Sequence, residues 1–329
     1  MNFIEIKQSE LERITLFLID NKIILHPKIS PDGTPDFTGY EGKRFIVILD
    51  RNLLVRILRL VNDGELRDNH SLQLVCSILL WSNFNNIRLN SGLALTEYSH
   101  FHRGNIESSQ ENNIFLEICR QYTPQHWLDL FIGRKKSIPK IILDKQETYS
   151  FFVEDDHFKM HYLEMLKLAQ LFFNDDISPV EKFEKFHTWV YNNILICKYT
   201  TYFAVLLFGN KSKVFREITR EFEIINKNCI NQSWDLTYLS FWSTQYYYED
   251  TAADICLFAT MDKELRKLFF LTHKETLEIY TEVFGKDRGK EITTTISKIY
   301  LPRKKPVIDQ DKIDKMIVEE QDNLRMILK

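Results

Sequence analysis

The chain has 329 residues, of which 44% are hydrophobic and 13% aromatic, and its 46 acidic and 43 basic residues leave a net charge of −3. This composition argues against a disordered chain, and the balanced charge neither demands nor excludes a nucleic-acid partner. Ten glycines and eight prolines provide few tight turns, so a helix-rich fold is favoured over an all-β sandwich.

The cysteine pattern and the apolar segments indicate where the protein works. Five cysteines are odd in number and show no CxxC spacing, which argues against a disulfide framework and a zinc cage. The first residues lack the basic region and apolar core of a secretory signal, and the longest apolar stretches are about half the roughly 20 residues that a bilayer requires. We therefore expect a cytoplasmic protein with no membrane partner.

The first clear element is a strand that ends in a carboxylate. FIVILD (45–50) is β-branched and aromatic and has polar residues on both sides, which predicts a buried strand. Apolar residues at helical spacing follow, and NDG (62–64) ends that segment. The order strand, Asp50, helix is thereby predicted.

Mostly helical patterns follow. We expect a second helix over 72–83, a third that Ser91 caps and that carries Glu97 in its first turns, and an exposed polar loop over 101–112. Residues 113–230 place apolar side chains three or four apart, as helices do.

The last part of the chain contains a second buried strand. Asp235 is expected to open an aromatic helix, and ADICLFAT (253–260) predicts the strand that follows it. Near the C-terminus an apolar stripe that includes Ile313 and Leu324 predicts an amphipathic helix, which needs a partner surface.

Four acids form a candidate site. Asp50 ends one predicted strand and Asp262 follows the other, and ligands usually bind at the carboxyl edge of open α/β sheets. Asp235 and Glu97 lie near helix starts that could reach the same edge. Carboxylates that converge repel each other unless a cation neutralises them, and Mg²⁺ or Mn²⁺ binds such oxygen ligands. Phosphodiester hydrolysis is the chemistry that such metals support.

Four stretches resemble a known family. FIVILDRNLL looks like the opening of a PIN-like nuclease domain, in which an apolar strand ends in Asp and Asn follows one residue later; here these are Asp50 and Asn52. ADICLFATMDKELRKL is similar to the closing strand with its Thr-x-Asp turn, which places Thr260 and Asp262. SGLALTEYS resembles the helix that carries the second acid, Glu97, and SWDLTYLSFW the start of the helix that carries the third, Asp235.

The resemblance implies a fold and an activity. The fold would be α/β, with a PIN-like parallel sheet flanked by helices, a large helical insertion and a C-terminal helix. The activity would be that of a Mg²⁺- or Mn²⁺-dependent endonuclease, a hydrolase that cleaves RNA or, as a second choice, DNA, in a toxin or an antiviral defence effector. The implied catalytic and metal-binding residues are Asp50, Glu97, Asp235 and Asp262, with Asn52 and Thr260 as supporting polar groups.

The chain also departs from the family pattern. Arg51 stands where PIN domains commonly have a small Thr or Ser, and the stretch between Glu97 and Asp235 is far longer than in a minimal domain. The implied organisation is an N-terminal extension over 1–42, the PIN-like domain over 43–100 and 231–275, a helical insertion over 101–230, and a basic segment with the C-terminal helix over 276–329.

Each acid also has a simpler interpretation. Asp50 and Asp235 could merely cap helices, as Asp often does. Asp262 could be a turn residue that pairs with Lys263 or Arg266. Glu97 could be a solvated helix acid, and Glu107 and Glu111 lie nearby as substitutes.

A basic segment could hold a polyanion. Between Lys286 and Lys305 there are seven basic residues and two acidic ones. Such a segment could bind phosphates, although a charge run is often only a solvated face. The residues concerned are Lys286, Arg288, Lys290, Lys298, Arg303, Lys304 and Lys305.

Two other functions stay open from the sequence. The chain could be a catalytically inert PIN-like interaction protein that kept part of the acid set, or a helical nucleic-acid-binding regulator that needs the basic segment alone. The helical insertion or the C-terminal helix could serve a protein partner or self-association. GxxxxGK[ST], GxGxxG and GxSxG are absent, which argues against a P-loop enzyme, a dinucleotide-binding enzyme and a serine hydrolase.

Overall fold

The chain divides into two compact units. A computed structural model describes residues 6–30, 36–144, 146–153, 156–209, 211–212, 214–215, 220–272, 276–300 and 309–329. Unit 1 comprises Met1–Glu154 and Trp242–Asp262, and unit 2 comprises Asp155–Phe241 and Lys263–Lys329.

Unit 1 combines a small sheet with helices. Its strands are β1 (Ile24–Leu25), β2 (Arg44–Leu49), β3 (Arg88–Asn90) and β4 (Asp254–Ala259). Its helices are α1 (Gln8–Asn21), α2 (Arg51–Asp63), α3 (Asn69–Phe84), α4 (Gly92–His102), α5 (Ile106–Gln121) and α6 (Pro124–Phe131).

The sheet has the strand order β1-β4-β2-β3. Strand β2 is parallel to both of its neighbours, β3 and β4, whereas β1 is antiparallel to β4. The α/β class is confirmed, but the sheet is mixed, so the expectation of a parallel sheet is wrong at this edge. The cause is the N-terminal extension, which supplies β1 and pairs Ile24 with Ala259.

The predicted order of strand, acid and helix is confirmed at β2 and α2. The last four residues of β2 are buried without alternation, as in strands covered on both faces. Asp50 is the N-cap of α2, and its carboxylate accepts a hydrogen bond from the Leu53 N–H. Gly64 ends the helix with a φ of 79°, a left-handed conformation that glycine adopts without strain.

The polar stretch at 101–112 is not the expected loop. Helix α4 continues to His102 and α5 begins at Ile106. The polar side chains of this helix can be buried because main-chain carbonyl groups accept their hydrogen bonds. The Ser108 hydroxyl donates to the Leu95 carbonyl at 3.0 Å, and the Asn113 amide donates to the Glu147 carbonyl at 2.8 Å.

Within its described residues, unit 2 consists of helices and the connections between them. Its helices are α7 (Asp156–Phe173), α8 (Pro179–Asn193), α9 (Lys198–Phe208), most of α10 (Phe222–Tyr247), α11 (Lys263–Leu271), α12 (Thr276–Phe284), α13 (Lys286–Tyr300) and α14 (Gln310–Ile327). The predicted C-terminal helix is confirmed as α14, and α7 provides the surface that its apolar stripe needs. Among the described helices, none has the length and apolar character to cross a membrane.

The units divide the chain at other places than the sequence-based domains. Of the helices in the expected insertion over 101–230, α5 and α6 belong to unit 1, and α7, α8 and α9 belong to unit 2. Strand β4 returns to unit 1 after the long helix α10, whose last six residues also belong to it.

Candidate functional site

Asp50 lies at the carboxyl end of the central parallel pair, β2 and β4. Its side chain is buried, with 2% of the residue exposed. One carboxylate oxygen, Oδ1, accepts from the Leu53 N–H at 2.7 Å, and the backbone N–H of Asp50 donates to the Ala259 carbonyl at 3.0 Å. The start of α2 therefore holds the carboxylate of Asp50, and the end of β4 holds its backbone.

Thr260 and Asp262 lie at the end of β4 and reach the same place. Thr260 is fully buried, and its hydroxyl donates to the second carboxylate oxygen of Asp50, Oδ2. The same hydroxyl accepts from the backbone N–H of Asp262 at 2.9 Å. Two hydrogen bonds in series thus connect Asp262 to Asp50, and the structure brings these three predicted residues together.

The electrostatics of Asp50 set it apart from an ordinary helix cap. Burial raises the pKa of the Asp50 carboxyl to about 6, against the hydrogen bonds from Thr260 and Leu53, which lower it. The negative charge of Asp262 raises the pKa further, and the positive charge of Arg56 lowers it. A second carboxylate and a guanidinium are therefore both close enough to act on the buried acid.

Glu97 lies on α4, which follows β3, and it is half-buried. Its neighbour Tyr98 packs under the Arg51 guanidinium, whose central carbon lies 3.8 Å from the ring centroid. Helix α4 therefore passes the first turn of α2. Within the part of the chain that the structure describes, however, no three His, Cys, Asp or Glu side chains form a group that could hold a metal ion.

Asp235 does not open a helix. It lies in the middle of α10, which continues without a break through the residues that precede it. Its carboxylate accepts from the Gln232 amide, one turn earlier, at 3.2 Å. Asp235 belongs to unit 2, whereas Asp50, Glu97 and Asp262 belong to unit 1.

The sequence did not predict the surroundings of Arg51. Its guanidinium forms a two-pronged ion pair with Glu111 of α5, in which Nη2 and Oε1 are 2.8 Å apart. The face of the Tyr98 ring contacts the same guanidinium. The partners are 60 residues apart in the chain, so no local pattern could have found them. Asn52, the supporting amide, is exposed in the first turn of α2.

The basic segment is described only in part. Lys286, Arg288, Lys290 and Lys298 are exposed on α13, in unit 2. The remaining predicted phosphate-binding residues, Arg303, Lys304 and Lys305, lie outside the described residues.

Comparisons with known proteins add no assignment. No protein-family model matches the chain, and neither the curated proteins nor the solved structures contain a match. The chemistry of the site itself therefore indicates what the protein does.

Proposed function

We propose that the protein is a divalent-metal-dependent nuclease that hydrolyses phosphodiester bonds, with RNA as its first candidate substrate. The observation that carries the proposal is the buried Asp50 carboxylate at the carboxyl ends of two adjacent parallel strands. Its neighbours Thr260 and Asp262 come from the second of these strands. A buried acid with a displaced pKa beside a second acid is typical of functional sites.

The carboxylates of Asp50 and Asp262 suit a hard cation such as Mg²⁺. Mg²⁺ at phosphate-processing sites is commonly held by one or two carboxylates, with water and phosphate oxygens completing its shell. Asp50 and Asp262 supply two carboxylates, and a cation there would favour the ionised form that burial disfavours. Such an ion would activate water and stabilise the departing oxygen. Glu97, on α4, would be a third carboxylate ligand of the cation.

The protein groups have separate tasks in this proposal. The Thr260 hydroxyl and the Leu53 N–H orient the two oxygens of Asp50. Asn52, exposed two residues after Asp50, offers an amide to a phosphate or sugar oxygen. Burial of Asp50 keeps water from screening its charge, which strengthens its interaction with any cation bound there.

One observation favours a different function. Both oxygens of Asp50 already accept hydrogen bonds from the protein, as a helix cap and strand link would require. This arrangement suits an inert interaction protein that uses Asp50 only to join β4 to α2.

Cleavage assays test the proposal. Purified protein is incubated with labelled RNA, single-stranded DNA and duplex DNA in Mg²⁺, Mn²⁺ or EDTA. We expect metal-dependent cleavage that Asp50→Asn and Asp262→Asn each reduce by at least about 100-fold, the scale on which single catalytic groups act. Asp20→Asn, at an exposed acid on α1, is the matched control and should cleave at the normal rate.

Activity that persists in EDTA, or full activity in both site variants, would contradict the metal-nuclease proposal. Nucleic-acid binding by the wild type without any cleavage would favour the inert protein.

A further inference from the structure

Unit 1 contains a cleft of about 830 Å³ beside α2. Four of its lining residues are basic: Arg56 and Arg59 on α2, Arg67 in the turn before α3, and Lys140. None of the four forms an ion pair with an acid among the described residues. Their charges are therefore available to a ligand in the cleft.

The cleft starts at Val55 and Arg56, about one and a half turns of α2 beyond Asp50. Asp50 caps the helix that carries Arg56 and Arg59, and at 1.5 Å per residue Arg59 lies about 13 Å from Asp50 along the helix axis. Arg56 is half-buried and held in place, since its Nη1 donates to the Asn52 carbonyl at 2.9 Å and its Nε to the Ser71 hydroxyl at 3.3 Å. The Arg56 charge acts on Asp50, whose pKa it lowers.

Three acidic residues, Asp63, Glu65 and Asp68, also line the cleft. The Asp68 carboxylate is occupied as the cap of α3, where it accepts from the N–H groups of His70 and Ser71. Asp63 and Glu65 stand at and just beyond the end of α2 that is far from Asp50. Positive charge therefore dominates the part of α2 nearest to the candidate site.

We propose that this cleft binds the phosphodiester backbone of a nucleic-acid strand and leads it to Asp50. The ligand chemistry follows from the spacing of the charges: Arg56 and Arg59 are about 4.5 Å apart along the axis of α2, close to the roughly 3.4 Å between successive phosphates of a stacked strand. Arg67 and Lys140 add two further cations to the same cleft. Backbone contacts of this kind position a substrate without reading its sequence. The direction of the strand towards Asp50 rests on the proposed nuclease function.

Binding is measured by fluorescence anisotropy in the Asp50→Asn background, with labelled RNA and DNA oligonucleotides and with polyphosphate as a competitor. The combined variant Arg59→Gln, Arg67→Gln, Lys140→Gln changes only exposed side-chain ends, so it should fold normally. We expect affinity at about 0.1 M salt to fall at least about tenfold, and the salt slope to decrease by about 2, for three lost phosphate contacts. The variant Asp63→Asn, Glu65→Gln should bind more tightly.

The matched control is the set Lys286→Gln, Arg288→Gln, Lys290→Gln, which removes three exposed charges from α13. If this set weakens binding and the cleft set does not, the cleft proposal is overturned. Polyphosphate that competes as strongly as RNA would overturn the assignment to nucleic acid. If the wild-type protein cleaves RNA but the cleft variant keeps normal affinity, the cleft proposal is overturned and the nuclease proposal stands. If binding depends on the cleft but the wild-type protein does not cleave RNA, the nuclease proposal is overturned and the cleft proposal stands.

Discussion

Asp50 combines two tasks whose electrostatic demands oppose each other. As a helix cap and partner of Thr260 it is held by two hydrogen bonds that favour its ionised form. Burial disfavours that form more strongly, so the pKa rises from 3.8 to about 6. An acid whose pKa is higher in the folded state than in the unfolded state destabilises the fold when it ionises.

The pH dependence of stability tests this conflict. The contribution of Asp50 to the free energy of unfolding is fully present below about pH 4. It decreases as the pH rises through about 6 and is lost above it, a total decrease of roughly 3 kcal/mol for a pKa shift of this size. Asp50→Asn keeps a good capping residue without the charge. We expect the variant to match the wild type in urea unfolding at pH 4 and to be more stable at pH 8.

Asp20→Asn should follow the wild type at both pH values, because this acid is exposed. An Asp50→Asn variant that loses the same stability at pH 4 and pH 8 would show that Asp50 is an ordinary cap.

At the scale of elements, the end of α2 determines where Lys140 lies. Gly64 has a φ of 79°, and a Cβ at this position would lie 2.6 Å from the Ile138 carbonyl oxygen. The two residues are also joined by a hydrogen bond from the Ile138 N–H to the Gly64 carbonyl at 2.9 Å. This close backbone approach holds the segment that brings Lys140 to the cleft.

Gly64→Ala should therefore lower the free energy of unfolding by more than the strain of a left-handed backbone conformation alone. Gly133 has nearly the same φ, 80°, but open space where a Cβ would lie, so Gly133→Ala is the matched control. We expect a loss of about 1 kcal/mol in the control and about 3 kcal/mol at Gly64, because only Gly64 adds a clash. Urea unfolding measures both, and equal losses would mean that the Ile138 segment moves away without cost.

At the scale of the whole molecule, each unit has its own core. The sheet and its acids belong to unit 1, whereas unit 2 contains the packing of α14 on α7. Polar contacts hold α14 to two helices: Glu320 accepts from the Gln170 amide of α7 at 2.7 Å and from the Trp189 indole N–H of α8 at 3.1 Å. Leu324 of α14 is fully buried.

Removal of the Leu324 side chain should destabilise unit 2 in particular. Leu324→Ala leaves a cavity that typically costs about 2–5 kcal/mol. Hydrogen exchange should show faster exchange in α7 and α14 while β2 and β4 keep their protection. Met326→Ala, at an exposed position of the same helix, is the control. Equal loss of protection in both units would show that the chain unfolds as one body.

Local physics made several elements predictable from sequence. The apolar run of β2, the Asp50 cap, the helical spacing of α2 and the glycine that ends it all depend on neighbours within a few residues. The closing strand β4 and the amphipathic helix α14 were predictable for the same reason. The proximity of Asp50 to Thr260 and Asp262 followed from two parallel strands that end at one edge.

Tertiary structure decided what depends on residues far apart in the chain. The polar stretch of α5 became a helix because main-chain carbonyls more than ten residues away accept its hydrogen bonds. The pairing of β1 with β4 and of Arg51 with Glu111, and the gathering of four basic side chains around one cleft, arise only when distant segments pack together. The sequence by itself therefore determined β2, α2, β4 and α14 and the two acids that follow the strands, Asp50 and Asp262. Tertiary packing decided what surrounds those acids, because their other neighbours come from distant parts of the chain.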